Sequence, residues 1–294
     1  MIGNSHSWFR PYGSSCLIKG GLMTKVLTLN THSWMQANTL KKLVALAEHI
    51  LAEKYDIICL QEINQLIESE LATDLPRYQA LSGTPSIHKD HFALLLIHYL
   101  QKRGQHYYWS WAYNHIGYDI YQEGVAILSK QPIHVSDILV SAMADETNYH
   151  TRRSLIAKTT LDGKEVAVVN VHLSWFDKGF LGEWEKLEKE LLTLNCPLLL
   201  MGDFNNPTDQ DGYQVMMGSP LDLQDSHKVA DHVFGDHSIV ADIDGWQGNK
   251  EALKVDHVFT SKDFIIRSSK TTFEGGDAPV VSDHYGLEVT LGWR

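Results

Sequence analysis

The 294-residue chain has only three cysteines, Cys16, Cys59 and Cys196. Cys59 and Cys196 lie in or beside apolar segments that are typical of strands. A small, odd number of cysteines in apolar surroundings indicates a reducing compartment, because secreted domains usually pair their cysteines in disulfides. The sequence therefore predicts a cytoplasmic protein whose cysteines serve as small hydrophobic core residues.

Long apolar runs are also absent, and the longest, Phe92 to Ile97, is far too short to cross a bilayer. No membrane partner is predicted. Residues 1–22 contain no acidic residue and are rich in glycine and serine, but they lack the continuous apolar segment of a secretory signal. We expect residues 1–22 to be a disordered or non-native N-terminal extension and residues 23–294 to form a single domain.

Basic residues are in deficit. The chain has 25 lysines and arginines against 36 aspartates and glutamates, which gives a formal net charge of −11. A protein that binds the phosphates of a nucleic acid usually presents a basic face. The deficit argues against nucleic acid as a partner. It favours a small anionic substrate, drawn in by a metal ion that reverses the sign of the local charge.

Strands and helices alternate, and the same order of polar strand ends occurs twice. In the first half a strand ends at Asn30, and a helix and a second strand lead to Glu62. In the second half a strand ends at Asn170, and a helix and a strand lead to Asp203 after almost the same number of residues. Ordinary α/β alternation explains the elements but not the matched ends. The pattern predicts two similar sheet-and-helix layers whose polar strand ends meet at one edge.

A long excursion, residues 83–122, separates the two halves. It contains a predicted helix from His91 to Arg103, followed by a stretch that is rich in aromatic residues. Within that stretch we expect Asn114–Asp119 to be a loop, where specificity residues are often found. The apolar residues from Leu181 to Leu191 predict an amphipathic helix in the second half.

Several strand ends carry residues that hydrolases use. Glu62 offers an oxygen ligand of the kind that Mg²⁺ prefers. Asp203 is placed to deprotonate a water molecule, and Asn205 to position a phosphate oxygen or the base. Asp256 could hold the imidazole of His284 in one orientation and raise its basicity. Each residue has a structural alternative when taken singly: a solvated acid, a turn cap or a satisfied histidine.

Seven short segments, in order, make the chain similar to the endonuclease/exonuclease/phosphatase (DNase I-like) superfamily from about Lys25 to Gly292. They are LTLNTH, ICLQEI, EGVAILSK, VVNVHLS, MGDFNNP, VDHVF and SDHYGL. The resemblance implies an α+β fold, a four-layer α/β/β/α sandwich in which two packed mixed sheets are flanked by helices. It also implies that residues 23–294 form a phosphoesterase domain that hydrolyses phosphoric esters with Mg²⁺, or Mn²⁺ in its place, as the cofactor.

The resemblance further implies a metal site and a catalytic set. The implied metal-site residues are Glu62, Asn30 and Asp283. The implied catalytic residues are Asp203, Asn205, His172, Asp256 and His284. In this scheme Asp203 activates water that Asn205 orients, and His284 stabilises charge on the phosphorus. One departure concerns His32, since several DNA-repair members carry an aspartate there.

A narrower resemblance concerns the substrate. The segments NHIGYD, HLSWFDKGF, LQDSH and IDGW are similar to those of bacterial maltose 6'-phosphate phosphatases, which implies release of inorganic phosphate from a phosphorylated sugar. Arginine forks suit a phosphate dianion, and aromatic faces can cover a sugar ring. The candidate substrate contacts are Arg152, Arg153, His115, Asp119, Trp175 and Trp246, with Trp111 as a further aromatic candidate. The arginines could instead be an exposed edge-strand pair, and each tryptophan could be core.

Three rival functions stay open at this point. An exonuclease III-like endonuclease acting on DNA is favoured by the superfamily but opposed by the charge. A sphingomyelinase-like phosphodiesterase requires a membrane-facing apolar hairpin that the sequence does not show. A non-catalytic binding module on the same fold would have lost part of the residue set, which here is complete apart from His32. The sequence does not define the oligomeric state.

Overall fold

The computed structural model describes residues 23–240 and 242–294, so the predicted extension at 1–22 lies outside the described residues. The strands are numbered in chain order. They are β1 (Thr24–Asn30), β2 (Ile57–Leu66), β3 (Tyr108–Gly117), β4 (Tyr121–Ser129), β5 (His134–Leu139), β6 (Arg153–Leu161), β7 (Lys164–His172), β8 (Leu198–Asp203), β9 (Gln224–Asp225), β10 (His232–Phe234), β11 (Asp256–Thr260), β12 (Phe264–Thr272) and β13 (Gly286–Trp293).

The α-helices within the same residues connect these strands and lie outside the sheets. They are α1 (Thr39–Glu53), α2 (Phe92–Lys102), α3 (Phe180–Leu191), α4 (Asp211–Met217) and α5 (Ser226–Val229). The structure thus confirms the helices predicted at 91–103 and 181–191. In the part of the chain that the structure describes, no helix is both long enough and apolar enough to cross a membrane.

The strands form two mixed sheets. The first has seven strands in the order β10-β12-β13-β1-β2-β4-β3, and the second has six in the order β5-β6-β7-β8-β11-β9. β1 and β2 are parallel neighbours, and so are β7 and β8. Each half of the chain therefore contains the predicted strand–helix–strand unit, and the parallel strands of each unit end at the same edge of their sheet.

Three layers of hydrophobic core hold the sandwich together. Alternate side chains of a strand point to opposite faces, so Leu27 packs against α1 and α2 while Val26 packs between the sheets. In the second half Leu199 likewise faces the other sheet, and Leu200 faces α3. The order helix, sheet, sheet, helix confirms the predicted four-layer α/β/β/α fold.

The predicted loop at Asn114–Asp119 is wrong. β3 continues through Gly117 and pairs with β4, so the turn of the hairpin is confined to Tyr118, Asp119 and Ile120. The first two turn residues have positive φ angles, 52° and 63°. The aromatic residues before the turn belong to the sheet, where such side chains pack well against neighbouring strands.

A buried amide joins the two sheets close to their polar edge. Asn170 of β7 donates to the carbonyl oxygens of Leu60 at 2.9 Å and Ala126 at 2.8 Å, both in the first sheet. Its own oxygen accepts a hydrogen bond of 2.6 Å from the Gln61 side chain. Asn170 is fully buried, so these bonds are shielded from water. The second Asn-x-His segment thus begins with a structural residue.

We expect Asn170→Ala to lower the free energy of unfolding by about 3 kcal/mol, because it leaves buried polar groups of the opposite sheet without partners. Urea denaturation measures the change. Asn195→Ala is the control, because that asparagine is exposed and its replacement should alter stability by no more than about 0.5 kcal/mol. Equal stability of the two variants would contradict the bridging role.

Candidate active site

The polar strand ends of the two halves meet through one side-chain amide. The Asn30 amide nitrogen donates to Glu62 Oε1 at 2.8 Å and to Asp203 Oδ2 at 3.0 Å. Glu62 ends the apolar part of β2 in the first sheet, and Asp203 ends β8 in the second. Asn30 therefore holds the carboxylates of both halves in one place, as the matched strand ends predicted.

The backbone at Glu62 is bent out of the regular sheet. β2 has a bulge against β4 between Leu60 and Ile63, and Glu62 itself has a φ of 51°. A bulge re-aims a side chain that would otherwise point into a sheet face. Asn205 also has a positive φ, 50°. Such conformations are uncommon outside glycine and tend to cluster at functional sites.

Asp203 lies at the centre of the cluster and is almost completely buried. Its Oδ1 accepts a 2.9 Å hydrogen bond from the Asn205 backbone N–H. Its Oδ2 is 3.6 Å from His172 Nε2 and 3.9 Å from His284 Nε2. Burial and the charge of Asp256 raise the pKa of Asp203 to about 7. The carboxylate is therefore more basic than an exposed aspartate, as a proton acceptor near neutral pH needs to be.

Close approach of the backbones positions Asp203. Gly202 has a φ of 148°, and a Cβ added there would lie 2.1 Å from the Val171 carbonyl oxygen. Only glycine fits this contact between β7 and β8. The residue before the acid in the GDFN segment thus lets the two parallel strands end side by side.

His284 is held by Asp256 on its far side. The Nδ1 to Asp256 Oδ2 distance is 2.9 Å, and both side chains are buried. Burial alone would lower the pKa of His284, but the charges of Asp256 and Asp203 raise it to about 10. His284 is therefore an imidazolium whose Nε2–H is free to donate toward the Asp203 side of the cavity.

If Asp256 acts only by orienting and charging His284, replacing either residue should damage the same step. Asp256→Asn and His284→Ala should each lower kcat, and the double variant should fall little further than the worse single variant. Steady-state kinetics of the four proteins measures this coupling. Losses that multiply fully would show that the two residues act independently.

Arg152 and His172 form a buried pair in the same cavity. Arg152 Nη1 lies 3.2 Å from His172 Nδ1, and Arg152 as a whole is only 3% exposed. Burial and the charge of Arg152 push the pKa of His172 well below its usual value. The neutral ring accepts at Nδ1, so its proton is on Nε2, facing Asp203. Arg152 Nε has no hydrogen-bond partner among the described residues.

His32 pairs with one of the predicted metal-site residues. Its Nδ1 is 3.0 Å from Asp283 Oδ2. Burial would lower the pKa of His32, but the hydrogen bond to Asp283 and the charges of Glu62, Asp283 and Asp244 raise it to about 9. His32 is therefore a cation beside Asp283. An aspartate at position 32, as in several DNA-repair members, would instead add a negative charge there.

The donor set fits a hard divalent cation, although not with every predicted ligand. Carboxylate oxygens of Asp203 and Asp256 lie within 4.8 Å of each other and of a His284 nitrogen, although the protonated His284 has no lone pair to offer a metal ion. Asp256 Oδ1 is buried and has no hydrogen-bond partner among the described residues. The Asn30 amide instead donates to two carboxylates, and its oxygen accepts from the His32 backbone at 3.1 Å. Asn30 therefore orients the acids around the site. Carboxylate oxygens are the ligands that Mg²⁺ prefers.

The predicted catalytic residues surround one cavity of about 540 Å³, which Glu62, His172, Asp203, Asn205 and His284 line. Asp256 supports the cavity from behind through His284. The structure therefore brings together the strand-end residues that the sequence predicted. It also adds Tyr118 and Asp244, whose side chains hydrogen-bond to each other at the wall of the cavity.

The two predicted arginines do not form a common fork. Arg153 begins β6 and forms a 2.7 Å ion pair with Asp137, lining a different cavity from Arg152. Successive side chains of an extended chain point in opposite directions, and Arg153 therefore lies outside the active-site cavity.

Two other predicted substrate contacts are misplaced. Asp119 is exposed at the hairpin turn and does not line the cavity. Trp111 is fully buried and donates to the Ile63 carbonyl oxygen at 3.2 Å, so it is a core residue. The sequence of β3 does not show which of its aromatic side chains face the core, because this depends on how β3 pairs with β4.

Trp175 and Trp246 lie beside the site and pack edge to face, with ring centroids 6.4 Å apart. Trp175 lines the active-site cavity and also an adjoining cavity of about 380 Å³. Trp246 lines only the adjoining cavity and donates to Asn205 Oδ1 at 3.1 Å. Trp246 thus supports Asn205 directly, a contact that the sequence did not predict.

The sequence profile of the Endonuclease/Exonuclease/phosphatase family matches residues 34–284. The chain belongs to this family. Members of the family hydrolyse phosphoester bonds and generally depend on a divalent metal ion. A comparison with curated protein sequences gave no significant match.

Solved structures from several organisms share the fold. A family protein from Leptotrichia buccalis C-1013-b is 25% identical with a TM-score of 0.81, over 92% of this chain and 100% of that one. A mannosyl-6-phosphatase from Bacteroides thetaiotaomicron VPI-5482 is 16% identical with a TM-score of 0.63, over 92% and 100%. D. rerio TDP2 complexed with single strand DNA product is 14% identical with a TM-score of 0.63, over 92% and 99%. The last two similarities concern the fold alone.

Proposed function

We propose that residues 23–294 form a cytoplasmic phosphomonoesterase domain that requires Mg²⁺, or Mn²⁺ in its place. Its proposed substrate is a sugar phosphate, with maltose 6'-phosphate as the first candidate. The observation that carries the proposal is the buried guanidinium of Arg152, which faces the Asp203 cavity beside a neutral histidine.

A buried cation needs a compensating anion. Among the described residues no carboxylate forms an ion pair with Arg152, whose near neighbour His172 is uncharged. A phosphate group in the cavity would supply the missing charge, and a guanidinium can bind two of its oxygens at once. The imidazolium of His284 adds a second cationic donor on the other side of Asp203.

The arrangement around Asp203 supports in-line attack by water. Asp203 Oδ2 would take a proton from the water molecule as its oxygen bonds to phosphorus. The ester P–O bond then breaks, and the leaving alcohol takes up a proton from solvent. His284 Nε2–H would donate to the phosphoryl oxygens, whose charge increases in the transition state. A bound divalent cation would polarise the phosphoryl group and neutralise part of its charge. Glu62, with the acids near it, would hold the cation.

The shape and charge of the site favour a small substrate. Its volume, about 540 Å³, lies in the range of small-molecule sites. The exposed part of the lining has two acids, Asp177 and Asp244, against one base, Lys178, and this excess of negative charge would repel the neighbouring phosphates of a long polyanion. The adjoining cavity behind Trp175 offers room for the second ring of a disaccharide.

Phosphate release from a panel of substrates tests the proposal. The panel contains maltose 6'-phosphate, glucose 6-phosphate, an aryl phosphate and a duplex with an abasic site. We expect the highest kcat/KM for maltose 6'-phosphate, because a site that binds hydroxyls discriminates against substrates that lack them. Asp203→Asn protein, purified in parallel, controls for contaminating phosphatases. A preference for the duplex would show that the protein is a repair nuclease and that the phosphatase proposal is wrong. No turnover of any substrate would favour a binding module.

A further inference from the structure

We propose that Glu123 and His115 form a subsite that recognises hydroxyl groups of the sugar whose phosphate binds at Arg152. This inference rests on the proposed function and deepens it. Glu123 and His115 both line the cavity that contains Asp203, and they are only 5% and 3% exposed. No catalytic or metal-binding role above uses Glu123.

A bulge in the β3–β4 hairpin brings the two side chains together. Tyr113 pairs with Gly124 and His115 with Glu123, so Asn114 is an extra residue in β3. The extra residue puts His115 directly opposite Glu123, and cross-strand partners project from the same face of a sheet. His115 Nε2 lies 3.4 Å from Glu123 Oε1.

The hydrogen bonding of His115 leaves this contact incomplete. Its Nδ1 is 3.1 Å from the Thr151 carbonyl oxygen, which can only accept, so Nδ1 carries the proton. Burial and the charge of Arg152 lower the pKa of His115 to about 3, so the ring is neutral and its Nε2 is an acceptor. The Nε2 lone pair of His115 therefore faces Glu123 Oε1, and a proton between the two atoms must come from the Glu123 carboxyl group.

Burial and the charge of Glu62 raise the pKa of Glu123 to about 8, as expected for a carboxyl group in such surroundings. In the part of the chain that the structure describes, no hydrogen bond from another side chain or a backbone N–H reaches its oxygens. The carboxyl group is then mostly protonated at neutral pH and donates to His115 Nε2. This leaves its other oxygen, Oε2, beside Gly117 at the cavity wall, to accept from a sugar hydroxyl.

Gly117 keeps room for the carboxylate. A Cβ at this position would lie 3.0 Å from Glu123 Oε2, a contact tighter than nine in ten real Cβ contacts, so the carboxyl group would have to move. Gly117 has no positive φ, so its backbone tolerates an alanine. Replacement by alanine should therefore displace the carboxylate without straining the hairpin, which provides a second way to disturb the subsite.

The test compares kcat/KM for maltose 6'-phosphate and for butyl phosphate, an alkyl ester without hydroxyl groups. The proteins are wild type, Glu123→Leu, Gly117→Ala and the control Glu165→Gln, whose glutamate is exposed at the start of β7. We expect Glu123→Leu and Gly117→Ala to lower kcat/KM for maltose 6'-phosphate by about 10- to 100-fold, the range for one unpaired buried polar group. Butyl phosphate should change by less than about 3-fold, and Glu165→Gln should match wild type on both.

Two results would overturn the inference in different ways. If wild type releases phosphate from both esters and the variants lose activity equally on both, the hydroxyl subsite is wrong and the phosphatase stands. If wild type releases phosphate from neither ester, the proposed function fails and the subsite fails with it. Glu123→Gln keeps a donor for His115 and an acceptor for the hydroxyl, so it should stay within about 3-fold of wild type. Circular dichroism checks the fold of each variant.

Discussion

Asp203→Asn is expected to lower kcat by about 10²- to 10⁴-fold, the contribution of a positioned general base, with little change in KM. The amide keeps the size of the side chain and its hydrogen bond from the Asn205 backbone, but it cannot take a proton from water. Asp203 also has an unusually high pKa because of burial and Asp256. No other described acid occupies the point where His172, His284 and Asn30 converge.

Steady-state kinetics with the best substrate of the panel measures this effect. The matched control is Asp162→Asn, an exposed aspartate at the turn between β6 and β7 whose positive φ asparagine also tolerates. The control should keep the wild-type kcat. An unchanged kcat in Asp203→Asn would mean that another group activates the water.

Glu62→Gln is expected to weaken Mg²⁺ binding by about 10- to 100-fold, the range typical of losing one metal-site interaction. The change removes one negative charge while keeping an acceptor for the Asn30 amide. Calorimetric titration of Mg²⁺ without substrate measures the affinity, and the Mg²⁺ dependence of phosphate release should shift in parallel. Excess EDTA should abolish wild-type activity.

Glu68→Gln is the control for this prediction, because Glu68 is exposed in the loop after β2 and should leave Mg²⁺ binding unchanged. Full wild-type activity in excess EDTA would contradict the metal requirement. Equal Mg²⁺ affinity of Glu62→Gln and wild type would instead indicate that the carboxylates of Asp203 and Asp256 hold the metal ion.

The fold and the convergence of the predicted site residues on one cavity were predictable because their signals are local. An apolar strand that ends in Glu62 or Asp203 can be recognised in a few residues, and parallel neighbours must end at the same edge. The Asn-x-His repeat predicted the two strand–helix–strand units. It did not predict that Asn30 would orient two acids while Asn170 joins the sheets, because identical residues at equivalent strand ends have different neighbours.

The substrate side of the site was less predictable because it depends on register. One extra residue in β3 decides that His115 faces Glu123, and one step along the chain decides that Arg152 enters the cavity while Arg153 pairs with Asp137. Trp111 is core for the same reason. The pairing of His32 with Asp283 joins the beginning and the end of the domain, and no local pattern contains it.

Because Asn30 bonds to both sheets, the geometry of the site depends on how the two sheets are aligned. Its amide spans a carboxylate of each sheet through bonds of 2.8 and 3.0 Å, and a shift of one ångström between the sheets would break one of them. Mild heating or low denaturant should therefore inactivate the protein before its circular dichroism changes. Neither half expressed alone should retain activity, because each supplies only one of the two acids.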